Sequence, residues 1–452
     1  MSTTPPIHDV VPLREATKVW FKISLQTFGG PAGQIAVMQR TLVDEHRWIG
    51  ERRFLHALSY CMLLPGPEAQ QLAIYTGWLL NGGAGGLIAG TLFVLPGFIA
   101  LLGLSAIYVA FGETAVITAL FVGLAAAVLA IVTQAVIKVA KRALRHWSMV
   151  VLAVAAFLAL AVFGLPFPAV ILAAGLTGWI IGRLRPEILS PPVKDAAKDG
   201  PAPLISDEAL HHTGPSWRRA AVILGIGVPL WLGPIAVAFA LTGADSIYTQ
   251  QGLFFSGTAL VTFGGAYAVL AYVAQQAVET YGWLAPGEMV RGLALAETTP
   301  GPLIMVVQFV AFLGAFRDPG TLDPWTAAVL ASLLTTWVTF VHCFLFIFLG
   351  APHVERLRGN KSLSAALTGI TAAVVGVIAN LAVYFAAHTL FATTTAWNWG
   401  PVHLDLPEAS SLQPGALLLT IAAIIMIFRL RWSVLRTLGV CAAAGLALGL
   451  LT

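Results

Sequence analysis

Charge is what this chain has least of. Asp, Glu, Lys and Arg make up 10% of its 452 residues, where a soluble domain carries about 25%, so a water-facing globular surface is excluded. Cysteine is nearly as scarce: Cys61, Cys343 and Cys441 sit in apolar stretches with no C-x-x-C spacing, which leaves them as packing residues rather than a disulfide framework or zinc site. The pattern G-x-x-x-x-G-K-[ST] is missing, which excludes a P-loop ATPase. Acidic residues are scattered, against an enzyme using metal or acid-base chemistry on lipid-linked substrates, and no cofactor is called for. The net charge is only +4, with no basic run interleaved with aromatics, so no nucleic-acid partner is expected. The opening MSTTPPIHDVVPLREATK lacks the apolar core of a cleavable signal, and the N-terminus is expected in the cytoplasm.

What is present is apolar surface: 58% of residues are hydrophobic and the mean hydropathy is +0.84. Runs such as 86 to 111 and 363 to 387 exceed the roughly 20 residues that cross a bilayer. About 13 such segments can be read along the chain, and the expected fold is an all-α polytopic membrane protein. Pro186, Pro191, Pro192, Pro201, Pro203 and Pro215 among charges mark a linker over 184 to 217.

The two halves are similar at a shift of 235 residues, which lays Thr27-Phe28-Gly29-Gly30 on Thr262-Phe263-Gly264-Gly265 and Pro65-Gly66-Pro67 on Pro300-Gly301-Pro302 without a gap. A later pair, GLAAAVLAIV at 123 to 132 and GITAAVVGVI at 369 to 378, matches after a further 11 residues. The expected organisation is a first repeat over 1 to 183, a cytoplasmic linker over 184 to 217, an unpaired helix over 218 to 243 and a second repeat over 244 to 452. The unpaired helix makes the number of crossings odd and so inverts the second copy. Loop charge agrees: Lys138, Lys141, Arg142, Arg145, Arg183, Arg185, Arg356, Arg358, Lys361, Arg429 and Arg431 all fall on the inner side, and 388 to 412, with no Lys or Arg, falls outside. Arg40, Arg47, Arg52 and Arg53 join the inner side only if the segments around FGGP and PGP are re-entrant, which their half-membrane lengths of 11 to 13 residues permit.

Helix breaks at membrane depth survive only where protein or a watered cavity satisfies the freed backbone. A half-helix starting after Pro31 or Pro67 points free N–H groups and the positive end of its dipole at the break, as anion sites do; the alternative is that the glycines simply allow close packing. The polar residues near the breaks are Gln34, Glu68, Gln70, Gln71, Thr298, Thr299 and Gln308, with Lys22 in the first segment as a counter-charge or a snorkelling cation. Glu68 reads either as a proton-linked gate or as a helix cap. Glu297 carries the same ambiguity, and His342 reads as a satisfied interior residue.

The blocks FGGPAGQIAVMQRTLVDEHRWI and LLPGPEAQQLAIYTGW, followed by LPGF and the weaker second copies, resemble the chromate ion transporter family in its long, two-domain form. The similarity covers the chain apart from linker and tails; the second copy departs from the pattern with Ala266 at the position of Pro31 and Leu303 at that of Glu68. The resemblance implies export of chromate or a related oxyanion such as sulfate, a bacterial inner-membrane location among lipid, and functional weight on Phe28, Gly29, Gly30, Pro31, Pro65, Gly66, Pro67, Phe263, Gly264, Gly265, Pro300, Gly301 and Pro302. It leaves a passive anion channel as the competing reading, and leaves the oligomeric state open, a homodimer among the options.

Overall fold

A computed structural model describes residues 10–28, 30–185, 204–205, 216–263, 265–351, 361–400 and 402–451. Gly29, Gly264, Arg356, Arg358 and most of the linker lie outside the described residues. The first half consists of α1 (Leu13–Ser24), α2 (Gly30–Gln39), α3 (Glu51–Cys61), α4 (Glu68–Phe111), α5 (Ala115–Ala143), α6 (Trp147–Ala161) and α7 (Phe167–Leu184). After α8 (Trp217–Thr242), the second half runs α9 (Ile247–Leu260), α10 (Ala266–Gln275), α11 (Glu288–Thr298), α12 (Val306–Arg317), α13 (Pro324–Gly350) and α14 (Lys361–Leu390). A hairpin of β1 (Thr394–Trp399) and β2 (Val402–Pro407) leads into α15 (Pro414–Ile424) and α16 (Val434–Leu451). Six helices are long and apolar enough to span a membrane, and four more are apolar but shorter, which makes this an all-α polytopic membrane protein.

The element order repeats down to local irregularities. α2 and α10 each run into a π-helical turn, Arg40–Glu45 in one and Gln276–Thr280 in the other, and each PGP sits between a helix of 11 residues and the next helix start. The 44 residues of α4 are two limbs, because Asn81 and Gly82 leave helical geometry, with Gly82 at φ +61°. Glycine holds this turn because a left-handed backbone excludes most side chains. The limbs fold back on each other, with Gly77 backbone against Gly85, Ile74 against Gly86 and Gly90, and the Gln70 amide reaching Gly90 O. Numbers rise on one limb as they fall on the other, so the first limb is a half-length helix in a hairpin. Its counterpart, α12 after the 3-10 turn Leu303–Met305, folds back on α13 in the same way, with Gln308 opposite Ser332 and Phe312 opposite Trp325.

Small residues set how the halves meet. Gly86 lies against Phe348 and Gly90 against Phe344, so the second limb of α4 runs antiparallel to α13, its own counterpart. Gly123 on α5 lies on the backbone of Cys441 while Gly445 lies on Ala119 and Gly123; Gly369 on α14 lies on Ala174 and Gly178 while Gly178 lies on Ala365 and Gly369. The α5–α16 and α14–α7 crossings are one contact made twice, each time between halves, and they are the most extensive helix pairs. The halves therefore interlock around buried α5 and α14 instead of forming two separate bodies. Such backbone-close crossings suit a bilayer, where apolar area drives no association and packing must.

The hairpin is the departure from all-helical structure among the described residues. Its register pairs Thr395 with Leu406, Trp397 with Leu404 and Trp399 with Val402, which gathers apolar side chains on one face. At its base the hydroxyls of Thr395 and Thr393 donate to the Glu408 carboxylate at 2.7 and 3.0 Å and hold that carboxyl below its ordinary range.

Candidate functional site

Each break is made by a glycine in left-handed backbone: Gly30 at φ +72° and its counterpart Gly265 at +110°, Gly66 at +116° and its counterpart Gly301 at +107°. A side chain at such a φ is strained, so the sequence reserves glycine there. α1 ends at Ser24 and three short turns, closed by Leu25, Gln26 and Phe28 N–H, carry the chain to α2.

The breaks of the two halves are stitched together crosswise. Gly66 N–H donates to Thr262 O at 2.9 Å, and Gly301 N–H donates to Thr27 O at 2.9 Å. One bond becomes the other on adding 235 to a residue number in the first half and removing it from the second. Backbone that unwinding frees is thus satisfied by the opposite repeat, and neither break could persist alone in a dry interior.

Around this stitch lies a cavity of about 310 Å³, counting the space open at its mouth. It is walled by the start of α2 (Pro31, Gln34), the start of α4 (Gly66, Pro67, Glu68, Ala69), the start of α10 (Thr262, Gly265, Ala266) and the turn leading into α12 (Pro302, Leu303, Ile304). Four helix starts therefore converge on one space, and no Lys or Arg is among its walls. Each N-terminus presents roughly half a positive elementary charge, so four supply about +2, the complement of a dianion. Glu68 is the charged side chain in the wall; the field of Arg142 reaches it, and that guanidinium also donates toward Met62 Sδ at 3.6 Å.

The glutamines act on the breaks. Gln34 Nε2 donates to Gly301 O at 2.6 Å, Gln71 Nε2 to Pro65 O at 2.7 Å and Gln308 Nε2 to Phe98 O at 3.1 Å. The Oε1 atoms of Gln70, Gln71 and Gln308 are buried with no partner among the described residues. The amides thus brace unwound carbonyls, and the donors facing the cavity are backbone N–H groups of the helix starts. Thr298 and Thr299 spend their hydroxyls on Leu295 O and Ala296 O at the end of α11. Lys22 is exposed on α1, and neither it nor the half-buried Phe28 and Phe263 lines the cavity. Gly30, Pro65, Pro300 and Gly301 flank it. His342 is fully buried with Nδ1 3.4 Å from Val338 O, and its Nε2 lies beneath Gly66.

Two features of the site carried no sequence signal used above. Thr27 and Thr262 act through their carbonyls, which any residue type has; only their place inside a repeated motif marks them. Tyr267, the first residue beyond the wall on α10, donates to Glu297 Oε1 at 2.5 Å, and a Cβ at Gly30 would lie 3.9 Å from its hydroxyl.

The family model described as Chromate transporter matches residues 14–179 and 249–447. Among curated proteins, the chain is 32% identical to a chromate transport protein of Pseudomonas aeruginosa over 79% of this chain and 77% of that one. It is 28% identical to a chromate transport protein of Cupriavidus metallidurans over 85% of both chains. A probable chromate transport protein of Synechococcus elongatus is 26% identical over 85% of this chain and 87% of its own. No solved structure matches at a significant level. The two matched segments end before the linker and resume after α8, so they contain all four breaks, and on this ground the chain belongs to the chromate transporter family.

Proposed function

We propose that the protein is a secondary transporter that carries chromate, or a tetrahedral dianion of the same kind such as sulfate, out of the cell across the cytoplasmic membrane and so confers chromate resistance. The observation that carries this reading is the convergence of four helix starts, two from each antiparallel half, on one cavity without a fixed cation. A dianion held by backbone dipoles alone is bound by geometry that changes as the halves rock, so it can be released. The named relatives supply chromate as the ion; the site chemistry supplies only its charge class.

In this reading the repeats are inverted in the membrane, the N-terminus and linker are cytoplasmic, and the hairpin is outside. The FGGP and PGP hairpins enter halfway and return. Export then runs with the membrane potential, which contributes about 2.3 kcal/mol per charge per 100 mV, or about 4.6 kcal/mol for a dianion. Glu68, at the first turn of α4, is the gate: ionised, it cancels part of the dipole charge that holds the substrate; protonated, it restores it. Purified protein in liposomes provides the test. Counterflow of chromate against chromate, inhibited by sulfate and not by chloride, with net flux that reverses when an imposed proton gradient reverses, is the expected result. Flux that ignores the proton gradient and dissipates any anion gradient would replace the transporter with a passive channel.

A further inference from the structure

Glu297 has no place in the anion cavity, yet it is built like a working group. It is 1% exposed, its Oε1 accepts the Tyr267 hydroxyl at 2.5 Å, and its Oε2 is buried with no partner among the described residues. Ionised, it has one donor where a buried carboxylate needs several; protonated through Oε2, it has an O–H with no acceptor. Neither state is fully satisfied, and evolution toward stability alone would place an apolar residue there, as the first half does with Met62 at the matching position. Tyr267 has no counterpart either, since Ala32 occupies its place.

Position gives the pair its role. Tyr267 follows the wall residues Gly265 and Ala266 on α10, and its hydroxyl faces Gly30 of the other half. Glu297 sits on α11, three residues before Pro300. The hydroxyl-to-carboxyl bond thus ties the helix that starts at the FGG break of the second half to the helix that ends at its PGP break. When the carboxyl is ionised that tie is charge-assisted; when it is protonated it becomes an ordinary hydrogen bond of about half the strength. From α4, α5, α12 and α16, which pack against α11, no charged or titratable side chain among the described residues acts on Glu297. From α10 Tyr267 does, while Arg291 and Glu288 on α11 itself are engaged with Tyr108 and Arg317.

We infer that the Glu297–Tyr267 pair is a second proton-carrying site of the transport cycle, apart from Glu68, whose protonation loosens α10 from α11 and so couples proton movement to the opening of the cavity. The step takes one proton onto Glu297 Oε2 and returns it to water on the other side; no bond other than O–H is made or broken. This rests on the transporter reading above. Each half then contributes one carboxyl beside its PGP break, Glu68 after the first and Glu297 before the second.

The experiment uses the full chain in liposomes, with chromate as the probe and two readouts: proton-driven net flux, and chromate counterflow at equal pH on both sides. Glu297→Gln should lower net flux by roughly tenfold or more, the effect of about 1.4 kcal/mol on one step, while counterflow persists. Tyr267→Phe should keep both but displace the pH midpoint of net flux. Glu297→Gln with wild-type proton-driven flux and pH profile overturns the inference. So does equal loss of both fluxes in a folded Glu297→Gln protein, which means a structural role. If that variant does not fold, an unmoved midpoint in Tyr267→Phe overturns it. Absence of counterflow in the wild type would instead sink the transporter reading, leaving the two failures distinguishable.

Discussion

Replacing Gly66 by Ala and, separately, its counterpart Gly301 by Ala is the sharpest test of how the breaks are held. The two glycines share left-handed backbone, φ +116° and +107°, and each donates to a threonine carbonyl of the opposite half. Backbone strain of about 1–3 kcal/mol is therefore common to both substitutions. What differs is the space for a methyl group. At Gly66 a Cβ would lie 2.7 Å from His342 Nε2, 3.0 Å from Gln71 Nε2 and 3.2 Å from Cys343 Sγ. At Gly301 the nearest atom is Gly97 Cα at 3.4 Å, an ordinary contact.

Relieving the crowding at Gly66 means moving the Gln71 amide off Pro65 O, which loses a hydrogen bond worth about 1 kcal/mol and leaves a buried carbonyl unpaired at about 1–3 kcal/mol. Gly66→Ala should thus be the more destabilising by about 2 kcal/mol or more, and its methyl also enters the cavity wall, so flux should fall further than stability predicts. The assay is thermal aggregation in detergent and chromate counterflow, both at matched protein amounts. A Gly301→Ala protein less stable than Gly66→Ala would refute the reasoning. The crowding account makes one more commitment: His342→Ala in the Gly66→Ala background removes the closest atom and should recover part of the lost stability, a coupling that a pure φ-strain explanation does not contain.

Glu68→Gln should flatten the pH dependence of chromate flux between about pH 5.5 and 8.5, a window that brackets a carboxyl in a buried site; an unchanged profile at lower amplitude would reduce Glu68 to a helix cap. Gly123→Ala and Gly369→Ala should each destabilise the protein by about 1–3 kcal/mol through overpacking against the backbone of Cys441 and Ala174, and by similar amounts because they are one crossing made twice. A loss at only one of them, read from thermal aggregation, would deny the interlocked packing. Because Cys61, Cys343 and Cys441 are buried, Ser410→Cys and Arg145→Cys report topology in the native background: impermeant thiol reagent should reach the first from outside and the second only from inside, and labelling of both from one face would defeat the inverted arrangement.

Backbone-level features were legible in the sequence because glycine and proline declare them. The ungapped register of 235 residues predicts that the breaks share one geometry, and the crosswise Gly66–Thr262 and Gly301–Thr27 bonds are that prediction in three dimensions. The pair at 123 and 369 likewise marks the two glycine crossings, although which helix each one meets depends on residues more than 70 positions away and is invisible to local pattern. The hairpin at 394 to 407 was readable in principle, since Thr395, Trp397 and Trp399, then Val402, Leu404 and Leu406, alternate with period two. A reading tuned to apolar helices passes over so short a signal. The glutamines show a different limit: composition reveals an amide donor at Gln34 but not that Gly301 O has already taken it.

The Tyr267–Glu297 pair marks where reading by repeats must stop. Superposing the halves amplifies whatever both copies keep and averages away whatever only one has. What both copies keep here is the scaffold: left-handed glycines, helix starts and interlocking crossings, which hold a dianion by symmetry. A scaffold symmetric about its own cavity has no preferred direction, because its inward and outward states are images of one another. Direction and coupling must come from residues that break the match. At the four positions concerned, Glu68 faces Leu303 across the repeat and Glu297 faces Met62, so the titratable groups sit where the copies differ. The functional asymmetry of the transporter is therefore best sought by subtracting one half of the sequence from the other.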